Sequence, residues 1–365
     1  MKTIDIYNLD VGTTISSVDK KQQQYATLTL TLAENYKEQI LSLSHGTQRT
    51  ENYVFSSTGI EKEFSYASPN YGKWVVTSTI ELGGNGSAIE SILAYATMQD
   101  EGVWDLCEIL TFLTGRRVTT EEETRRYSHK SIGAHACAPH DVLILSGIAM
   151  NNRKSLIDKK LCEAFLLYNE SLSQDSMVIV AGLVNSAFNV LLDHATDPVS
   201  PVPKKKRTDI KSEINKIIDA SDLENEQKEA YKALIGSRVD QGTDSLVDKT
   251  KRLLLKLDII QEPIEEDVMT RIKYINTLRN LSTHAGKVPK LKGLDEEQSL
   301  RYAGSIVTGV IPEICCMVFG EALGLYSNGS GYSGLFKKNL TTFFREGIWR
   351  EWTLEVESFD EWFYQ

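Results

Sequence analysis

The chain has 365 residues, 50 acidic and 40 basic side chains, a formal net charge of −10, 41% apolar residues and 25% charged ones. These ordinary values exclude a collagen-like fibre and a mostly disordered chain, and at this length two domains are expected, with a core that needs no staples. Five scattered cysteines (Cys107, Cys137, Cys162, Cys315, Cys316) form no even framework and no CxxC pair, which points to a reducing compartment rather than a disulfide scaffold. No long apolar run stands out, so no membrane span is expected. The opening Met1-Lys2-Thr3-Ile4-Asp5 lacks the basic-then-apolar shape of a signal peptide, and a cytoplasmic location follows as an expectation.

The first 150 residues read as an α+β unit. Residues 25–32 (YATLTLTL) alternate apolar and polar side chains with period two, the mark of a strand with one buried face. Residues 40–44 and 73–82 read the same way. Gly46, Gly59, Pro69-Asn70-Tyr71-Gly72 and Gly83-Gly84-Asn85-Gly86 punctuate them as turns. Ser87 is placed to cap a helix over 87–98, a second helix spans 104–113, and the short apolar run 141–148 reads as one more strand.

From Asn152 onward the pattern is helical. Two amphipathic stretches, 152–170 and 175–193, join at Ser171-Leu172-Ser173-Gln174. Residues 197–207 hold Pro198, Pro201 and Pro203 followed by Lys204-Lys205-Lys206-Arg207, which predicts an exposed loop. Its basic run reads as a solvated charge cluster or as a phosphate-contacting arm. Helical patterns resume near Thr208, Leu223, Ser245, Pro263 and Asp295, the last running to about Leu325. After the break at Ser327-Asn328-Gly329-Ser330-Gly331, the tail holds Trp349, Trp352 and Trp362, too aromatic to stay in water, so it is expected to dock on its own body or on a partner. The expected division is an α+β sensor or recruitment domain over 1–150, a helical domain over 151–326 and an aromatic tail over 327–365. Residues 1–200 carry 24 acidic and 16 basic side chains and residues 201–365 carry 26 and 24, so the helical end is the more permissive for nucleic acid.

The segment starting near Pro263 concentrates the chemistry. Pro263 suits a first helical turn, and Glu265, Glu266 and Asp267 favour the positive end of the helix dipole. Ile264, Val268, Ile272, Ile275 and Leu278 recur at helical spacing and form a core-facing stripe. The stripe ends in Arg279-Asn280-Leu281-Ser282-Thr283-His284-Ala285-Gly286, with Gly286 and Pro289 as stop signals. Histidine transfers protons near neutral pH, and arginine keeps its charge and matches phosphate oxygens with a planar fork. Asn280 precedes His284 by one turn and shares its face, whereas Arg279 lies about 140° round the helix. A second copy of the helix across a two-fold axis narrows that gap.

The run Arg279-Asn280-Leu281-Ser282-Thr283-His284 resembles the Arg-x4-6-His motif of the HEPN superfamily, including the polar residue after the arginine. The helical setting is similar too, and the strand-rich start followed by helices is most like the ApeA-type branch. The resemblance implies an all-α HEPN bundle behind the α+β region. It also implies a metal-independent endoribonuclease that needs no cofactor, leaves 2′,3′-cyclic phosphate ends and works as a homodimer in anti-phage defence or toxin-like growth arrest. On that reading His284 moves protons, Arg279 stabilises charge on phosphorus, Asn280 orients the imidazole or the phosphate, and Thr283 adds a hydrogen bond. Lys287, Lys290 and Lys292 line an RNA path, and a protein partner activates or restrains the enzyme. Two alternatives stay open: a non-catalytic HEPN module that binds RNA, a nucleotide or a protein, and a ligand sensor in residues 1–150 with a structural helical dimeriser.

Other signals carry less. His129, His135, Cys137 and His140 fall within twelve residues but match no common zinc spacing, and no metal is expected there. Gly83-Gly84-Asn85-Gly86 lacks the rest of a phosphate loop and reads as a turn. Arg116-Arg117 and Arg125-Arg126 flank Glu121-Glu122-Glu123 and read as local salt links, and Cys315-Cys316 reads as core.

Overall fold

A computed structural model describes residues 2–12, 22–25, 28–44, 52–56, 59–63, 74–83, 92–93, 102–121, 136–174, 177–195, 204–241, 245–284, 295–326 and 331–347. Strands β1 (Lys2–Tyr7), β2 (Gln22–Tyr25), β3 (Leu28–Leu32) and β6 (Val76–Leu82) form an antiparallel sheet in the order β1-β6-β3-β2. Ile80 on β6 stands opposite Ile4 on one side and Leu30 on the other. Leu28, Leu30 and Leu32 are buried while Thr29 and Thr31 are half-buried, as the two-residue period requires. Strands β4 (Asn52–Ser56) and β5 (Gly59–Glu63) make a separate antiparallel pair. Helix α1 (Tyr36–Ser44) packs on β6, and its Tyr36 hydroxyl accepts from the Val11 N–H at 2.6 Å. The chain leaves β1 through Asn8 at φ 62, a region asparagine tolerates, and the Asn8 side-chain oxygen accepts from the Val75 N–H at 2.9 Å.

Helix α2 (Val103–Thr114) is buried along eleven of its twelve residues, so it is a central element and not a surface one. Its two carboxylates are each compensated, as buried charges must be. Asp105 accepts from the Ile92 and Leu93 N–H groups and from Arg153 at 2.9 Å. Glu108 accepts from Arg117 at 2.6 Å and from Asn169 at 2.8 Å. The helix stops at Gly115, whose φ of 66 suits a residue without Cβ. Helix α3 (Val142–Asn152) touches both α2 and β2, and the Ser146 hydroxyl lies 2.6 Å from the Tyr25 hydroxyl.

After the short α4 (Lys154–Asp158), helices α5 (Cys162–Ser171) and α6 (Met177–His194) pack along each other. Helices α7 (Lys204–Asp219) and α8 (Asn225–Gln241) form a hairpin that packs chiefly on itself. Then come α9 (Leu246–Lys256), α10 (Glu266–His284), α11 (Glu296–Ser305), α12 (Ile311–Ala322) and α13 (Gly331–Glu346). Helix α6 lies at the centre, against α5, α9, α10 and α12. Ser245 and Asp295 close capping boxes at the starts of α9 and α11, each satisfying orphan N–H groups. Phe112, Phe165, Tyr168 and Phe319 interlock with centroids 5.3–6.1 Å apart and bind α2, α5 and α12 together. Phe336, Leu340, Phe343 and Phe344 bury one face of α13 against α10 and α12, and Arg271 donates to the Phe344 carbonyl.

The α+β class expected from the sequence is what the fold shows, with several local differences. Residues 25–32 are two paired strands, not one, with Tyr25 opposite Leu28. Residues 40–44 end helix α1, because buried Tyr36 and Ile40 sit one turn apart. Residues 142–148 begin helix α3, since a short, mostly apolar run fits either period. The stretch 152–170 is broken between α4 and α5, where Lys160 has φ 57. Lys204–Arg207, expected in a loop, are the first turn of α7. Pro263 lies before α10 instead of in its first turn. Residues Tyr302–Ala322 are long and apolar enough to cross a membrane by composition, against the expectation of no such run, but most of that stretch is buried inside the protein. Of the helix expected over 87–98 only Ile92 and Leu93 are described, and they form a bend whose N–H groups donate to Asp105; the three tail tryptophans lie outside the described residues.

Candidate functional site

Val268, Ile272, Ile275 and Leu278 are buried, so the apolar stripe of α10 does face the core. Arg279 follows directly on the stripe and is therefore drawn inward, to 7% exposure. Its guanidinium donates to the Asn189 side-chain oxygen of α6. Burial pulls its pKa below the usual arginine value, and the nearby Asp193 carboxylate opposes that shift. Asparagine is neutral, so this hydrogen bond fixes the fork without cancelling its charge.

A polar seam surrounds this contact. On α6, Asn185, Asn189 and Asp193 recur at four-residue spacing and so share one face. Asn185 is fully buried, and Asp193 pairs with Lys249 of α9. From α10, Asn276 donates to the Thr250 hydroxyl of α9 at 3.2 Å and to the Ile272 carbonyl at 2.8 Å. Three helices thus meet through amides, a hydroxyl, a carboxylate and a guanidinium, at the end of α10 that carries the motif. Sequence reasoning found Arg279 but missed Asn185, Asn189, Asp193, Thr250 and Asn276. The Asn-x3-Asn-x3-Asp spacing in an otherwise apolar helix was the available signal.

Asn280, Thr283 and His284 occupy the last turn of α10. Helical geometry sets Asn280 and His284 on one face and Arg279 and Thr283 on another, each pair one turn apart. Lys287, Lys290 and Lys292 lie outside the described residues, as do His129 and His135. Cys137 is buried, with its thiol directed at the Leu113 carbonyl, while His140 is exposed beside Asp141 at 3.6 Å. Arg116 and Arg117 do not stay local: they reach Asp10 at 3.1 Å and Glu108 at 2.6 Å. Cys315 and Cys316 are core, and burial pushes the Cys316 thiol up to about 12. Compared with protein-family models, curated proteins and solved structures, the chain matches none.

Proposed function

We propose that the chain is a metal-independent endoribonuclease of the HEPN type. The observation that carries this reading is Arg279: a buried, oriented guanidinium five residues before His284, at the C-terminal end of α10. The ribose 2′-oxygen attacks phosphorus, the bond to the 5′-oxygen breaks, and the proton lost by the 2′-hydroxyl is balanced by one gained at the leaving oxygen. His284 moves these protons, as an imidazole does near neutral pH. Arg279 meets the charge that builds on the phosphoryl oxygens. Asn280 orients the imidazole, Thr283 adds a hydrogen bond, and Lys287, Lys290 and Lys292 guide the RNA backbone. The working unit is a homodimer in the cytoplasm, with residues 1–150 sensing or recruiting a protein partner that sets its activity, in a defence or growth-arrest role.

The burial of Arg279 also favours a second reading, in which the arginine braces α10 against α6 and the module only binds RNA or a partner. Cleavage and RNA affinity measured side by side separate the two. On the first reading Arg279→Ala and His284→Ala each lower cleavage by about 100-fold or more while RNA binding by the His284 variant persists. Wild-type protein that binds RNA and leaves it intact supports the second.

A further inference from the structure

Among their described residues, helices α7 and α8 expose four large apolar side chains: Ile210 at 43%, Ile217 at 70%, Tyr231 at 49% and Leu234 at 57%. Each directly precedes an inward-facing residue of the hairpin, namely Lys211, Ile218, Lys232 and Ile235. Each therefore lies about 100° back around its helix from the line where α7 meets α8. In two antiparallel helices that shared rotation turns both pairs to the same side. The hairpin so carries one apolar face, at its outer part, although it packs chiefly on itself.

Its charges are polarised along the same axis. Lys204, Lys205, Lys206 and Arg207 form the first turn of α7, at the positive end of the helix dipole, where cations destabilise the helix. At the other end Asp222, Glu224 and Glu226 are exposed around the turn. The acidic cluster suits the N-terminus of α8, whereas the lysines at the start of α7 oppose their own helix dipole.

We infer that this face pairs with the same face of a second copy, the two hairpins lying antiparallel across a two-fold axis near Tyr231. The register supports a copy of this chain as the occupant. Counted back from Asp219 at the hairpin tip, Ile217 lies two residues in, Ile210 nine and Lys206 thirteen; counted from Asn225, Tyr231 lies six and Leu234 nine. A two-fold axis at the level of Tyr231 sets Ile217 over the partner's Ile210 and Leu234, and Tyr231 over its own copy. The same axis lays the acidic turn over the partner's Lys205 and Lys206. One operation matches apolar to apolar and acid to base, twice by symmetry. The face is about 25 Å long and ~20 Å wide, roughly 500 Å² in plan, smaller than the ~800 Å² per partner of a standard interface and in keeping with a weak dimer.

The inference rests on the homodimer of the proposed function and names the face that holds it; its readout is mass, so its failure is told apart from a failure of the cleavage chemistry at α10. Sedimentation of the full chain up to about 100 μM tests it. Wild type is expected to dimerise, and Ile217→Glu with Leu234→Glu to raise the dissociation constant at least about ten-fold with helicity unchanged. Lys205→Glu with Lys206→Glu is expected to weaken the dimer, and adding Asp222→Lys with Glu224→Lys to the same chain to restore it. These four sites are exposed, so the charge series holds even where the apolar pair unfolds. A wild type that stays monomeric overturns the inference. So does a dimer indifferent to both series, or a monomer that sediments with anionic vesicles through Ile217 and Leu234.

Discussion

Arg279 sits where a cation is costly, and its neighbours set how much of that cost is offset. Asn189 supplies a neutral acceptor, and Asp193 adds a carboxylate one turn further along α6. Asn189→Ala takes that acceptor from a buried guanidinium, so it is expected to lower stability by about 1–3 kcal/mol in urea unfolding. Asn189→Asp keeps an acceptor and is expected to hold stability near wild type. It is also expected to depress cleavage, because a second carboxylate answers the charge Arg279 needs for phosphate. Wild-type stability in both variants contradicts this account of the contact. Arg279, Asn280, Thr283 and His284 were legible because their grouping is local to one helix. Asn189 was not, because it lies 90 positions from Arg279 and meets it only through helix packing.

Long helices and the alternating strands β3 and β6 declared themselves in the sequence, and short apolar runs without a clear period did not. Helices α6 and α10 follow apolar stripes that repeat over three turns or more, which a two-residue period cannot imitate. Residues 40–44 and 142–148 were ambiguous because a handful of apolar positions fits both periods, and burial decided between them. The basic turn of α7 was hidden because three prolines upstream and four like charges signal a loop, while the helix is held by the contact of α7 with α8. At the end of α12, packing tolerates no side chain at Gly320: a Cβ there falls on the ring of Tyr326. That ring's hydroxyl donates to the Ala136 carbonyl at 3.2 Å, so it cannot move without losing the contact. Gly320→Ala is therefore expected to cost on the order of 1–3 kcal/mol. A melting temperature equal to wild type contradicts that packing.

One hydrophobic cluster runs from Ile6 and Leu30 of the sheet through Phe112 and Phe165 to Leu191, Ile275 and Phe344. Residue 150, where composition suggests a division, lies inside α3, which packs on the sheet and on α2. The core also holds ionisable groups kept neutral by burial. Cys107 and Cys316 are pushed from the ordinary 9.0 up to about 12, and the phenols of Tyr168 and Tyr274 are raised as well. The native state then keeps protons that the unfolded chain releases. Stability is fully present below about pH 9 and falls as pH rises towards 12. Urea midpoints at about pH 8 and pH 10 should differ in that sense, and an equal or higher midpoint at the alkaline pH contradicts the burial of these groups.

The most direct test of the central claim is incubation of purified protein with total RNA in excess EDTA, wild type beside His284→Ala, with the product ends analysed. Cleavage by wild type alone is expected, leaving 2′,3′-cyclic phosphate and 5′-hydroxyl ends. Cleavage that survives in His284→Ala, or that appears only when a divalent ion is restored, contradicts it.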